Sequence, residues 1–189
     1  MNKSLFGLLK RQRPNGIALL ESYSFRGDAS HAFVKGFSDD IDEYELVGNN
    51  LVASVSTSTS GIRTRLSVDR GATFDSNNVY GQAGFAWGYN FSFNFGSNTD
   101  NFFHFGISDN DPGYGTSANL NIFCNSRGKY TTCINSFLYR DTSKPTDDPG
   151  AIKEAIYYRN TKRVNGLLIY IPGGVIVSGD VHLYGYLKQ

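Results

Sequence analysis

The sequence has little of several features that mark common classes of protein. It contains one methionine, one tryptophan and two cysteines, and its 18 lysines and arginines nearly balance its 17 aspartates and glutamates. This balance argues against a general nucleic-acid-binding protein, which gathers a basic excess on one face. No apolar run approaches the roughly 18 residues that span a bilayer. We therefore expect no nucleic-acid partner and no insertion into a membrane.

The two cysteines, Cys124 and Cys133, flank a predicted hairpin turn around Arg127-Gly128-Lys129. They could face each other across two strands, or they could be two buried, reduced thiols, which is the usual state in cytosolic proteins. A zinc site needs more ligands at closer spacing than the sequence offers. We expect no metal site and no cofactor.

The residues that are abundant indicate an all-β protein. There are 12 tyrosines, 14 phenylalanines and 21 glycines; aromatic residues suit strands, and glycine supplies turns. Short strands separated by turn residues favour an antiparallel β-sandwich, jelly-roll-like, over βαβ units. Residues 149–159 are predicted to contain a strand, but they could begin with a helical turn. Residues 167–171 are apolar on both faces, and we predict that they form a central strand covered on each side. The other predicted strands are 31–37, 43–55, 62–68, 102–107, 118–125, 130–139, 152–159 and 181–187.

The first 15 residues differ from the rest of the chain. They are basic and partly apolar, they end at Pro14-Asn15-Gly16, and the strand pattern begins only afterwards. The start resembles a signal peptide, but basic residues occupy the place of a cleavage site, so we expect no secretion. We predict an N-terminal anchoring arm at 1–15 and a β-sandwich domain at 16–189; a frayed terminus is the alternative for the arm. The predicted anchoring residues are Lys3, Leu5, Phe6, Leu8, Leu9, Lys10, Arg11 and Arg13.

The segment from Asn77 to Asn101 is rich in aromatic residues and almost without charge. Alternation of Phe91, Phe93 and Phe95 with polar residues predicts a strand there. The aromatic residues could fill the core under a long loop, or they could form an exposed platform for a glycan or a protein, since such rings give rigid contact area at low entropic cost. The residues predicted for this platform are Tyr80, Trp87, Tyr89 and Tyr114.

No sequence motif supports an enzyme. The stretch Gly113-Tyr114-Gly115-Thr116-Ser117-Ala118 has the letters of a dinucleotide fingerprint, but a strand follows it where a helix is needed. The histidines, at 31, 104 and 182, are far apart in strand-like contexts. We therefore expect no catalytic residue.

One local motif predicts a turn. Ser67-Val68-Asp69-Arg70-Gly71-Ala72-Thr73-Phe74 resembles the Asp-box pattern of β proteins. Asp69 can accept backbone N–H bonds across the turn, Gly71 can adopt positive φ, and Phe74 can fold back over the hairpin. A propeller would need several copies, so we interpret this single copy as structural.

Three segments together resemble small β-sandwich proteins and the fibre, tail-appendage and head-decoration domains of tailed bacteriophages. They are Asp42 to Val47, Arg65 to Ser76 with Tyr80 beyond, and Ser178 to Leu187. The resemblance implies a virion structural protein, assembled in the host cytoplasm, with capsid, portal or tail proteins as partners. The alternatives are a tail-fibre tip that recognises host surface polysaccharide and, from the enzyme class, a depolymerase.

The terminal strand predicts a second contact surface. Val181, Leu183 and Leu187 form an aliphatic side, and His182, Tyr184 and Tyr186 form the opposite, aromatic side. Such rings are enriched where protein surfaces meet, and the phage appendages that this chain resembles are often trimers. We predict a homo-oligomer, with a trimer as one form; the alternative is that a loop of the same chain, such as the aromatic 80–101 segment, covers the rings.

Overall fold

The computed structural model describes residues 16–27, 31–55, 61–88, 91–107, 115–124, 128–141 and 148–187. These residues form twelve strands in two antiparallel sheets and contain no helix. The prediction of an all-β sandwich is confirmed. The strands are β1 (Gly16–Phe25), β2 (His31–Val34), β3 (Glu43–Ala53), β4 (Ile62–Ser67), β5 (Tyr80–Gly88), β6 (Phe91–Asp100), β7 (Phe103–Gly106), β8 (Thr116–Phe123), β9 (Thr131–Asp141), β10 (Asp148–Tyr158), β11 (Gly166–Tyr170) and β12 (Ile176–Leu187).

The two sheets differ in width. The large sheet has the order β1-β12-β3-β8-β9-β10-β5-β6, and the small sheet has the order β2-β11-β4-β7. The chain crosses between the sheets at eight of the eleven connections, and only those from β5 to β6, from β8 to β9 and from β9 to β10 stay within the large sheet. We interpret this nested order as jelly-roll-like, with the hairpins β5–β6 and β9–β10 as additions that widen one sheet.

The core lies between the sheets and follows from alternation along each strand. In β3 the side chains of Tyr44 and Leu46 are buried, and in β12 those of Val181 and Leu183 are. Successive residues of a strand point to opposite faces, so the residues between them face outward. Burying each large apolar side chain contributes on the order of 1.5–3 kcal/mol, which fixes the register of every strand that has one face in the core.

The predicted strands all occur, with ends shifted by a few residues. The alternative of a helical turn within 149–159 is wrong, because β10 pairs along its length with both β9 and β5. Glu154, Ile156 and Tyr158 alternate inward in it. The long-loop interpretation of 77–101 is also wrong, because β5 and β6 form a hairpin there.

Strand β11 is central in the small sheet, between β2 and β4, as predicted. It is not covered on both sides. Leu167 and Ile169 are buried in the core, whereas Leu168 and Tyr170 are half-buried on the outer face. A run that is apolar on both faces does not require burial of both faces in a sheet that water reaches on one side.

The cysteines are free, buried thiols, and the interpretation as reduced residues is confirmed. Cys124 follows β8 and Cys133 lies on β9. Burial raises the pKa of the Cys124 thiol to about 12 and the pKa of Cys133 well above its ordinary value. Neither thiol forms the reactive thiolate at neutral pH.

Strand β1 starts at Gly16, which is the first of the described residues. The eight predicted anchoring residues of the arm, from Lys3 to Arg13, lie outside the described residues.

Candidate functional site

The outer face of the large sheet, which points away from the core, carries most of the exposed large apolar side chains among the described residues. Ile17 and Leu138 are 60 % and 62 % exposed, and Leu19, Ile134 and Tyr157 are also exposed. The strand register places all five on this face. Ile134, Leu138 and Tyr157 come from the neighbouring strands β9 and β10, and clustered exposed apolar side chains often mark a binding surface. We therefore place the candidate site on this outer face.

A shallow groove, here called the outer groove, crosses this face from β3 to β5 and has a volume of about 310 Å³. It lies where β3 and β8 meet the added strands β9, β10 and β5. Among the described residues, no side chain that lines the groove is charged. The lining residues are Val47, Gly48, Asn49, Trp87, Ser117, Ala118, Asn119, Ser136, Phe137, Leu138, Ala151 and Ile152.

Two aromatic rings stand at the β5 end of the outer face. Phe85 and Trp87 are each 42 % exposed, and their ring centroids lie 5.6 Å apart with an interplanar angle of 24°. They are two residues apart on one strand, so both project from the same face. Across β10, Phe85 is opposite Lys153 and Trp87 is opposite Ala151. The rings form a small stacked platform beside the groove.

A hydrogen-bonded polar chain continues the outer face across β8, β3 and β12. Asn121 Nδ2 donates to Asn119 Oδ1 at 3.0 Å, and Asn119 Nδ2 donates to Glu45 Oε1 at 2.5 Å. The hydroxyl of Tyr186 donates to Glu45 Oε2 at 3.1 Å. These bonds hold the Asn119 amide in one orientation at the groove.

The predicted aromatic platform is only partly on this surface. Trp87 lines the groove, but Tyr80 is fully buried, so its place in an exposed platform is wrong. Its ring stacks on Tyr158 at 5.3 Å, and its hydroxyl accepts a bond from the backbone N–H of Leu66 at 2.8 Å. The same burial raises the pKa of Tyr80. Tyr89 and Tyr114 lie outside the described residues.

Sequence reasoning missed Leu138, Asn119 and Ser136 as residues of the surface. Their position depends on the pairing of β8 with β9, which no local pattern reveals. The exposure of Phe85 could have been found, since its two-residue spacing from Trp87 indicates one strand face.

The terminal strand has the predicted two-sided character. His182, Tyr184 and Tyr186 are half-buried on the outer face, and Val181 and Leu183 are in the core. His182 Nδ1 lies 2.9 Å from the hydroxyl of Ser22 on β1. The alternative that the 80–101 segment covers these rings is wrong, because four strands separate β12 from β5.

The Asp-box segment forms the predicted tight turn after β4. The prediction that this turn closes a hairpin is wrong, because β4 and the next strand, β5, lie in different sheets. Asp69 Oδ1 accepts bonds from the Ser67 hydroxyl at 2.7 Å and from the Thr73 backbone N–H at 2.9 Å. Hydrogen bonding from Thr73 lowers the pKa of Asp69 to about 2. Gly71 has φ +81°, and the Phe74 ring stacks on Phe33 at 5.3 Å. The three predicted turn residues thus serve the backbone and the small sheet.

One buried carboxyl lies on the core side of the large sheet. Glu154 is 2 % exposed, and Asn135 Nδ2 donates to its Oε1 at 2.9 Å. Burial raises the pKa of Glu154 to about 7. The three histidines do not meet, since His31 and His104 are on opposite edge strands of the small sheet and His182 is on the large sheet. Among the described residues, no three histidine, cysteine, aspartate or glutamate side chains are grouped to hold a metal ion.

No protein family, curated protein or solved structure matches this chain. The described residues contain no helix that is long and apolar enough to cross a membrane.

Proposed function

We propose that this protein is a non-enzymatic structural protein of a tailed-phage particle. It docks on capsid, portal or tail proteins through residues 1–15, and it exposes its β-sandwich. The proposal begins with the three segments that resemble phage sandwich domains. Two of them, Asp42 to Val47 and Ser178 to Leu187, include neighbouring parts of β3 and β12, and the other includes β4 and the Asp-box turn.

The observation that carries the proposal is the uncovered outer face of the large sheet. Exposed Ile17, Leu19, Ile134, Leu138 and Trp87 spread across it from β1 to β5. A sheet face that meets only water carries polar residues at alternate positions. Apolar side chains at these positions favour a protein that works by contact with another molecule.

A second candidate is a fibre tip that recognises host surface polysaccharide. The stacked Phe85 and Trp87 rings beside an uncharged groove favour it. The two candidates are compatible, because docking through the arm leaves the sheet face open to a ligand.

The proposal is tested on particles purified by density gradient from cells that make the protein. Quantitative mass spectrometry should find the chain in the particle fraction at a fixed ratio to the major capsid protein. A protein that stays in the soluble fraction, while particles form without it, would contradict a virion role.

A further inference from the structure

We propose that the outer groove binds an uncharged polysaccharide, with Trp87 as its main contact. This inference deepens the attachment role proposed above and rests on it. It names the class of ligand, which the virion role alone leaves open.

The charge of the groove limits what it can bind. The lining side chains that the structure describes are all uncharged. An acidic polysaccharide or a nucleic acid depends on lysine and arginine beside its anionic groups. A neutral ligand leaves no buried charge without a partner in this groove.

The mixture of apolar and polar lining suits a sugar better than it suits a wholly apolar protein surface. Trp87, Leu138 and Val47 offer apolar surface, and Ser136 and Asn119 lie between them on the adjoining strands. An apolar protein surface pressed onto this lining would bury these hydroxyl and amide groups without partners, which costs about 1–3 kcal/mol for each group. A sugar ring has an apolar C–H face and hydroxyl groups around its edge, so it can satisfy both kinds of lining.

The Asn119 amide is held ready for a hydroxyl group. One of its N–H groups donates a hydrogen bond to Glu45, and its oxygen accepts one hydrogen bond from Asn121. A primary amide has two N–H donors and two acceptor lone pairs, so the bonds to described residues leave one donor and one lone pair. A sugar hydroxyl both donates and accepts. Because the amide is already ordered, binding loses little side-chain entropy.

The outer groove is lined by two groups of strands, β3 and β8 on one side and β9, β10 and β5 on the other. Val47 and Asn119 come from β3 and β8, whereas Leu138, Ala151 and Trp87 come from the hairpin strands that widen the large sheet. The paired strands hold the lining rigidly. A rigid site reduces the entropic cost of binding.

The experiment uses Trp87 itself as the probe, because it is the only tryptophan in the sequence. The full chain is titrated with neutral gluco-, manno- and galacto-oligosaccharides and, in parallel, with polygalacturonate and dextran sulfate. A neutral series should change the Trp87 emission in a saturable way, and the charged polymers should not. Calorimetry then compares the variants, with thermal melts to show that each is folded.

We expect Trp87→Ala to weaken binding about tenfold or more, as truncating a central aromatic contact does. Asn119→Ala should weaken it by a smaller factor. The matched control is Phe33→Ala, which removes a 39 % exposed ring from the outer face of the small sheet and should bind like the unchanged protein.

Four outcomes would overturn the inference. They are no binding of any neutral oligosaccharide at millimolar concentration, binding of charged polymers alone, equal affinities of Trp87→Ala and Phe33→Ala, and a Trp87 emission that follows protein concentration together with light scattering. The last would mean that a second copy fills the groove. If no saccharide binds but the protein is found in purified particles, only the saccharide inference is overturned and the virion role is unaffected. Saccharide binding by a chain that is absent from particles overturns the virion role alone.

Discussion

Glu154 is a buried carboxyl group, and burial destabilises its charged form. Its side chain points into the core side of the large sheet, where Asn135 donates one hydrogen bond to it and a second to the backbone oxygen of His104. Desolvation favours the neutral acid, which is why its pKa rises from 4.5 to about 7. The residue therefore links the stability of the fold to pH.

The sign of this link can be measured. A raised pKa in the folded state adds stability below about pH 4.5, and that stability is lost as the pH rises to about 7. Because one pKa unit corresponds to about 1.4 kcal/mol, the full effect is on the order of 3 kcal/mol. Glu154→Gln should remove this part of the pH dependence in urea unfolding between pH 4.5 and 8. The control is Glu43→Gln on the outer face; if Glu154→Gln keeps the same pH slope as this control, the assignment is wrong.

Gly71 provides a test of the turn. Its φ of +81° is strained for a residue with a β-branched side chain. Gly71→Val should lower the free energy of unfolding by about 1–3 kcal/mol. Ala72→Val, at the next and exposed position, should change it little. Equal thermal unfolding of Gly71→Val and the unchanged protein would disprove the turn assignment.

At this scale, sequence reasoning succeeded where the cause is local. The roles of Asp69 and Gly71 follow from residues within one turn, and the motif contains all of them. The burial of Tyr80, in contrast, does not follow from residues that are near it in the sequence. Its hydroxyl bonds Leu66 and Asp75, and its ring meets Tyr158 from β10, so only the assembled sandwich shows that it is buried.

The strands were largely predictable as elements, because most alternate between core and outer residues. Strand β10 was ambiguous, since Ala151 to Ala155 have fair helix propensity, and pairing on both sides overrides that preference. The order of strands in the sheets was not predictable. For that reason the outer groove, whose lining comes from five different strands, could not be read from sequence beyond Trp87.

The exposed side of β12 predicts self-association. Tyr184 and Tyr186 are the cross-strand partners of Leu19 and Ile17, both exposed, on the edge strand β1. Together they form an aromatic and aliphatic patch at one side of the large sheet, suited to a symmetric contact. Light scattering at micromolar concentration should show an oligomer, and a Tyr184→Ser, Tyr186→Ser double variant should be a monomer.

Phe33→Ser, on the small sheet, is the control for this experiment and should leave the oligomer intact. If the unchanged protein is a monomer, self-association through this patch is excluded for the isolated chain. Tyr186 also donates a hydrogen bond to Glu45, so the melting temperature of the double variant must be measured beside its mass.

At the scale of the whole molecule, the arm and the sandwich are expected to be separable. The twelve described strands all lie within residues 16–187. Deleting residues 1–13 should leave the thermal unfolding of the sandwich within about 0.5 kcal/mol of the full chain and abolish its incorporation into particles. Particles that contain the truncated protein at the normal copy number would exclude an anchoring role.

The place of β12 in the large sheet has a consequence for synthesis. It lies between β1 and β3, although it is the last of the twelve described strands along the chain. In the described sheet β1 pairs only with β12. Until the ribosome has released residues 176–187, the apolar residues of β1 therefore lack their partner strand. A pairing between such distant segments forms slowly, and an unpaired strand invites pairing with other chains. Messages truncated before residue 176 should therefore yield aggregates, and the yield of native protein should depend on completing the chain.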